Sequence, residues 1–164
     1  MPVYARPTQK TGGQDIIMAD PLAREMIVDE ALSWVGTPYQ HQCSHKFEGC
    51  DCLGLVRGVW RHLYGDEPET LSPYSPDWAE KSSSETLLEA AGRWLIPRPV
   101  EMYKPADILV FRMQPGVAAK HMAIVSKPDE IVHAYWGRAV TRSFFAPFWS
   151  RRLVAVFSFP DVRD

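Results

Sequence analysis

Glu48-Gly49-Cys50-Asp51-Cys52-Leu53-Gly54-Leu55-Val56 places a cysteine at the start of a run with helical period. Beyond Cys52 the apolar residues fall at Leu53, Leu55, Val56, Val59, Trp60, Leu63 and Tyr64. Positions 52, 56, 59/60 and 63 share one face of a 3.6-residue helix. Gly65 follows at once, where a C′ glycine is expected. A thiol at a helix N-terminus sits in the positive end of the dipole, beside unpaired N–H groups. That placement lowers its pKa and favours the nucleophilic thiolate. Cys52 therefore reads as a nucleophile, and the rest of the chain must supply a base.

The 164 residues are enough for one domain with a substantial core. Hydrophobic residues at 46% and charged residues at 23% are the balance of a soluble globular protein. A net charge of −2 is no polycation, so nucleic acid is not the expected partner. No apolar run approaches the length of a membrane span. Residues 1–13 are polar, with Pro and Gly, and lack the apolar stretch of a signal peptide. The expectation is synthesis in the cytoplasm, with either retention there or exit by a route that reads no such signal. The three cysteines, Cys43, Cys50 and Cys52, cluster and cannot all pair, so no disulfide framework is expected.

Residues 1–19 read as an N-terminal arm and 20–164 as the domain proper. Asp20-Pro21 has the form of an N-cap followed by proline at the first helical position. Leu22, Met26, Ile27, Leu32 and Val35 form the apolar stripe of a first helix, which Gly36 ends. The polar segment 40–49 reads as irregular and delivers the chain to the cysteine helix at about 52–64. Pro68, Pro73 and Pro76 make the next stretch a loop with turns. Ser82-Ser83-Ser84-Glu85 fits a capping box, with Ser82 as N-cap and Glu85 at N3. The third helix then shows Leu87, Leu88, Ala91, Trp94 and Leu95 on one face, and Pro97 and Pro99 stop it.

From there the period is that of strands. Ile108-Leu109-Val110-Phe111, His121-Met122-Ala123-Ile124-Val125 and Glu130-Ile131-Val132-His133-Ala134-Tyr135 are three of them. A fourth includes Ala139-Val140-Thr141, and Leu153 to Phe159 is the last. Helices followed by strands with short connections predict an α+β fold on an antiparallel sheet.

Of five histidines, His121 and His133 lie in this strand half. An odd hairpin loop such as Ser126 to Pro128 brings them to one face; an even one separates them. On the favourable register Cys52, His121 and His133 form a nucleophile, a base and a group that orients the base.

Several further residues carry a resemblance. Gly36-Thr37-Pro38-Tyr39, Asp51-Cys52-Leu53-Gly54-Leu55, Pro105-Ala106-Asp107, His121-Met122-Ala123-Ile124 and Ile131-Val132-His133-Ala134 resemble NlpC/P60 cysteine peptidases from about residue 22 to 160. Segments 36–42, 50–64 and 149–160 are similar to the branch found in tailed phages and gene transfer agents. The resemblance implies a papain-like core that cuts peptidoglycan stem peptides, often between D-γ-glutamyl and diaminopimelate. It implies Cys52 as nucleophile, His121 as base and His133 as third polar residue. Tyr39 would stand beside the nucleophile and help hold the oxyanion, and Asp51 would line the substrate site. No metal or organic cofactor is implied. Peptidoglycan and phage-tail or tail-hub proteins are the implied partners, and the tail of a virion or phage-like particle the implied location. Leu53 stands where many members have serine, as in the phage branch. Ala106 and Ala123 replace common glycines, and Ala123 is expected to narrow the cleft.

Other readings compete. His41, Cys43, His45, Cys50 and Cys52 are zinc's preferred ligand types, but their spacings fit no standard finger. Trp78, Trp136, Phe144, Phe145, Phe148 and Trp149 read as packing aromatics, one or two of them lining the cleft. A catalytically silent tail component and a thiol acyltransferase or amidase remain the rival functional classes.

Overall fold

The computed structural model describes residues 22–74 and 84–163. Helix α1 (Arg24–Ser33) buries Ile27 and Ala31. Its N-cap is Ala23, without a side-chain cap, one turn later than Asp20-Pro21 suggests. Asp20, Pro21 and the arm lie outside the described residues. The short hairpin of β1 (Ser44–His45) and β2 (Gly49–Cys50) occupies the segment read as irregular.

Helix α2 (Cys52–Tyr64) begins and ends where its signals place it. Asp51 is the N-cap, its side chain accepting from the Gly54 N–H. Gly65, at φ 85°, ends it with an N–H bonded to Arg61. The stripe Leu55, Val56, Val59 and Leu63 is buried. Its close fit on α1 depends on Gly58, where a Cβ would sit 2.0 Å from the Trp34 ring.

Helix α3 (Thr86–Trp94) corrects the capping-box expectation. Glu85 is itself the N-cap residue and makes no side-chain cap. Its carboxylate instead accepts from the Ala119 N–H at 3.0 Å and pairs with Arg112 at 2.5 Å. A cation and a distant backbone donor outcompete the local reach-back that the motif assumes. Ser82 and Ser83 lie outside the described residues, as do Pro76 and Trp78.

Strands β3 (Ile96–Arg98), β4 (Ile108–Phe111), β5 (His121–Lys127), β6 (Glu130–Ala134), β7 (Val140–Phe144) and β8 (Leu153–Ser158) form one antiparallel sheet, as the α+β reading expects. Its order is β3-β8-β4-β5-β6-β7. The sequence reading misses β3, because Pro97 interrupts it. An edge strand tolerates that proline, and β3 is an edge, paired among the described residues only to β8. A 3-10 turn (Val100–Met102) and a short helix α4 (Pro147–Ser150) complete the elements. No helix among the described residues is long and apolar enough to cross a membrane.

Alternation divides the core between the two faces of the sheet. Ile108, Val110, Met122, Ile124, Val132 and Ala134 pack against the three long helices. Leu109, Phe111, Ala123, Val125 and Ile131 face the other way, onto Trp149. Ala123 is fully buried in that second cluster, so it fills the core and does not narrow a cleft as expected. Arg24 ties α1 to the sheet through the buried Asp107 at 2.8 Å. Ala106 takes φ 78°, a conformation that glycine favours.

The β5–β6 hairpin resolves the open register. Lys127 pairs with Glu130 across the two-residue turn Pro128-Asp129, an even loop. A bulge between Val125 and Lys127 adds one residue, Ser126. Ile124 then faces Val132 and Val125 faces Ile131, so odd positions meet odd positions. His121 and His133 share a face, but the bulge, not an odd loop, puts them there.

Candidate active site

The hairpin β1–β2 feeds directly into α2, and this places Cys52 on the first turn of that helix. The thiol is free and partly buried, as is that of Cys43, whereas the free Cys50 is buried. Its hydrogen points to the Lys120 carbonyl, with Sγ 3.7 Å from the oxygen. The Met122 N–H also bonds the sulfur. Cys52 thus touches the backbone on both sides of His121, and in this resting arrangement it does not hydrogen-bond an imidazole.

His121 opens β5 and meets His133 directly, Nε2 to Nδ1, at 2.8 Å. The other nitrogen of His133, Nε2, lies 2.8 Å from the Ser143 hydroxyl on β7. With Nε2 of His121 committed to His133, Nδ1 is the nitrogen left for Cys52. Trp149 stacks on the His121 ring at 5.3 Å and 24°, and meets His133 edge-on at 4.9 Å. Tyr135 stands against both rings, and Phe111 against His121. This aromatic wall leaves few orientations open to either imidazole.

Asp51 has 3% of its surface exposed. One oxygen accepts from the Gly54 N–H at 2.7 Å. The other accepts from the Gln42 N–H at 2.8 Å and the Tyr74 hydroxyl at 2.5 Å. His41 bonds the Tyr74 carbonyl through Nε2 at 2.7 Å, and its Nδ1 stands 3.7 Å from Asp51. Asp51 is therefore both the helix cap and the fastener of Tyr74. Tyr39 lies beside Cys50 in a short parallel bridge, half-buried, its ring 5.3 Å from Trp136. Burial, with the Asp51 carboxylate adding to it, pushes the Tyr39 hydroxyl well above its ordinary range. It keeps its proton and is available as a donor.

The charge state corrects one expectation. Burial pushes the Cys52 thiol up to about 12, and the Asp51 carboxylate pushes the same way. The N–H groups of Met122, Leu53 and Cys52 oppose this without reversing it. The residue that caps the helix brings a negative charge to its positive end, which offsets the dipole that was to lower the thiol. Burial, aided by His133, holds His121 down at about 3, and burial holds His133 at about 4. The resting site is neutral. Passing the thiol proton to His121 creates neighbouring opposite charges that stabilise each other, which neither group achieves alone.

The depressed histidines also set a pH dependence of stability. An unfolded histidine titrates near pH 6.5, whereas these two stay neutral in the fold to about pH 3–4. Between those limits the unfolded chain binds more protons, so stability falls as pH drops from about 6.5 to 4. Each histidine contributes a slope of up to about 1.4 kcal/mol per pH unit. Urea unfolding at pH 6.5, 5.5 and 4.5 should show a steeper loss for wild type than for His133→Gln; parallel curves would refute the assignment.

Three residues here carry no signal that the sequence reading used. Ser143 was within reach, because Thr141 and Ser143 alternate onto the His133 face once β7 is extended. Trp149 stands in the sequence among six aromatics of which one or two are expected to line the cleft, with nothing to single it out, and Tyr74 sits in a loop whose spacing says nothing about Asp51.

No protein-family model matches the chain. It is 26% identical over 148 residues to the gamma-DL-glutamyl hydrolase of Bacillus subtilis strain 168, covering 89% of this chain and 32% of that protein. The chain thus spans about a third of the length of this curated relative. It superposes on the NlpC/p60 domain of the peptidoglycan hydrolase SagA with a TM-score of 0.57 and 22% identity, covering 83% of this chain and 98% of that one. For an NlpC/P60 family protein from Bacillus cereus the TM-score is 0.60 at 15% identity, over 85% of this chain and 41% of that one. The architecture is that of NlpC/P60 domains.

Proposed function

We propose that this NlpC/P60-fold chain is a cysteine peptidase that hydrolyses amide bonds in peptidoglycan stem peptides, with the D-γ-glutamyl–diaminopimelate bond as its target. The observation that carries this is the line of groups from Cys52, beside the backbone of His121, through His133 to Ser143. A similar curated protein named a gamma-DL-glutamyl hydrolase and a similar domain from a peptidoglycan hydrolase support the choice of bond and polymer.

The chemistry balances within the site. Nδ1 of His121 takes the thiol proton as Cys52 Sγ attacks the scissile carbonyl. The Cys52 N–H and the Tyr39 hydroxyl stabilise the oxyanion. His121 then protonates the departing amine, leaving a thioester on Cys52. His121 next deprotonates water, which attacks the thioester, releases the acid and restores the thiol. Asp51, whose charge reaches Cys52, Tyr39 and Tyr74, draws a substrate ammonium towards the cleft while holding the wall beside it.

We further assign this activity to the tail or tail hub of a phage or gene transfer agent, where a local cut in the wall admits DNA. The sequence resemblance of segments 36–42, 50–64 and 149–160 supports that placement. A decisive test digests purified peptidoglycan and poly-γ-glutamate side by side and reads the products by mass spectrometry. Stem-peptide fragments cut after D-glutamate, lost with a thiol alkylator and kept with a chelator, are expected. A folded protein that releases nothing from either polymer would leave a silent tail component as the better reading. Transfer to an added amine in preference to water would make it an acyltransferase.

A further inference from the structure

We propose that Ser143 is a positioning residue for the thiol chemistry, acting as the hydrogen-bond acceptor that the Nε2–H of His133 needs once His121 has taken the thiol proton. The inference rests on the thiol-hydrolase reading above and assigns a role to a fourth residue of the line.

Strand β7 carries Ser143 to the required face. His133 pairs with Thr141 and Ile131 with Ser143, so both β7 residues alternate onto the side that bears His133. The Ser143 hydroxyl meets Nε2 of His133 at 2.8 Å. His133 is 1% exposed, and Trp149 and Tyr135 stand against its ring. Ser143 and His121 are its hydrogen-bond partners among the described residues.

Two imidazoles joined nitrogen to nitrogen hold one proton between them, and it can sit on either side. When Nε2 of His121 carries it, Nδ1 keeps a lone pair and His121 is a base towards Cys52. When Nδ1 of His133 carries it, the neutral His121 bears its hydrogen at Nδ1 and has no lone pair for the thiol. At rest the serine hydroxyl serves either arrangement, since it can donate or accept. Once His121 has taken the thiol proton the choice disappears. His121 must donate from Nε2, Nδ1 of His133 must accept, and Nε2–H of His133 must donate. Ser143 then acts only as acceptor. Without it the charged state contains a buried N–H that bonds nothing. The contact is worth more in the charged state than in the ground state, so its loss lowers kcat and leaves KM in place.

The test compares full-length wild type, Ser143→Ala and Ser143→Thr, the last keeping the hydroxyl. On stem peptide, Ser143→Ala should lose kcat roughly ten- to a hundredfold at unchanged KM, and Ser143→Thr should recover most of it. One readout needs no substrate and so separates this proposal from the identity of the polymer: alkylation of Cys52 by iodoacetamide should slow in Ser143→Ala and recover in Ser143→Thr. Unchanged kcat and alkylation in Ser143→Ala would overturn the proposal. So would an equal loss in the alanine and threonine variants accompanied by a lowered melting temperature, because that marks a packing role.

Discussion

Cys52→Ala should fold like wild type and hydrolyse no peptide bond. The side chain is partly buried at the first turn of α2, so removing one sulfur leaves the packed stripe Leu55, Val56, Val59 and Leu63 untouched. What is lost is the atom that forms the acyl intermediate in the proposed mechanism. Removing the nucleophile from a coupled nucleophile–base pair costs on the order of 10^4-fold or more, because the remaining groups act through it. Mass spectrometry of digests checks activity, and circular dichroism with thermal melting checks the fold. Residual hydrolysis above a thousandth of wild type would mean that another group attacks the carbonyl. Alkylation gives a second signature: the adduct at position 52 should vanish in Cys52→Ala. Cys50, fully buried, remains protected in both proteins.

Gly54→Ala should produce the largest loss of stability among single-methyl additions to α2. Alanine at an open helix interior stabilises by about 1 kcal/mol relative to glycine. Here the added Cβ would lie 1.9 Å from the Cys43 carbonyl oxygen and 3.0 Å from its carbon, both backbone atoms that cannot swing aside. The hairpin and the helix must part. That strains the bond from the Gly54 N–H to Asp51 and the one from the Ser44 hydroxyl to the Gly54 carbonyl. Overpacking and two disturbed buried bonds together cost about 3 kcal/mol or more. The melting temperature should fall by about 10 °C for a domain of this size. Gly92 in α3 is the control, since its Cβ would meet nothing within 4 Å. Gly92→Ala should therefore raise stability by about 1 kcal/mol. Equal shifts in the two variants would mean that helix propensity, and not the approach of Cys43, governs position 54.

Local signals and long-range contacts divide what the sequence makes legible. Helix α2 is readable because its period and its terminal glycine are local and agree with each other. Four of the six sheet strands are readable as apolar runs, and part of β7 as well. Strand β3 is not, because its proline is tolerable only at a sheet edge, and edges are set by the whole topology. The Glu85 misreading has the same origin, since Arg112 and the Ala119 N–H come from the far side of the chain. At the site, Cys52, His121 and His133 follow from motif order. Ser143, Trp149 and Tyr74 do not, because each is recruited by proximity in space. The thiol charge state was equally beyond reach. It depends on burial and on Asp51 serving at once as a helix cap and as a neighbouring negative charge.

The extra residue at Ser126 makes this hairpin sensitive to slippage. Its side chain fastens the bulge, donating to the Glu130 carboxylate at 2.7 Å and to the Glu130 carbonyl. Pair the two strands without the bulge and Ser126 would face Ile131 and Val125 would face Val132, so odd positions of β5 would meet even positions of β6. His133 would change places with Val132, leaving a polar ring among the helices and a valine beside His121. Deleting Ser126 itself would instead leave a plain two-residue hairpin with Val125 still opposite Ile131. A slip that irons out one bulge, remote from the thiol, would therefore take the imidazole pair apart, whereas losing the bulged residue outright would spare it.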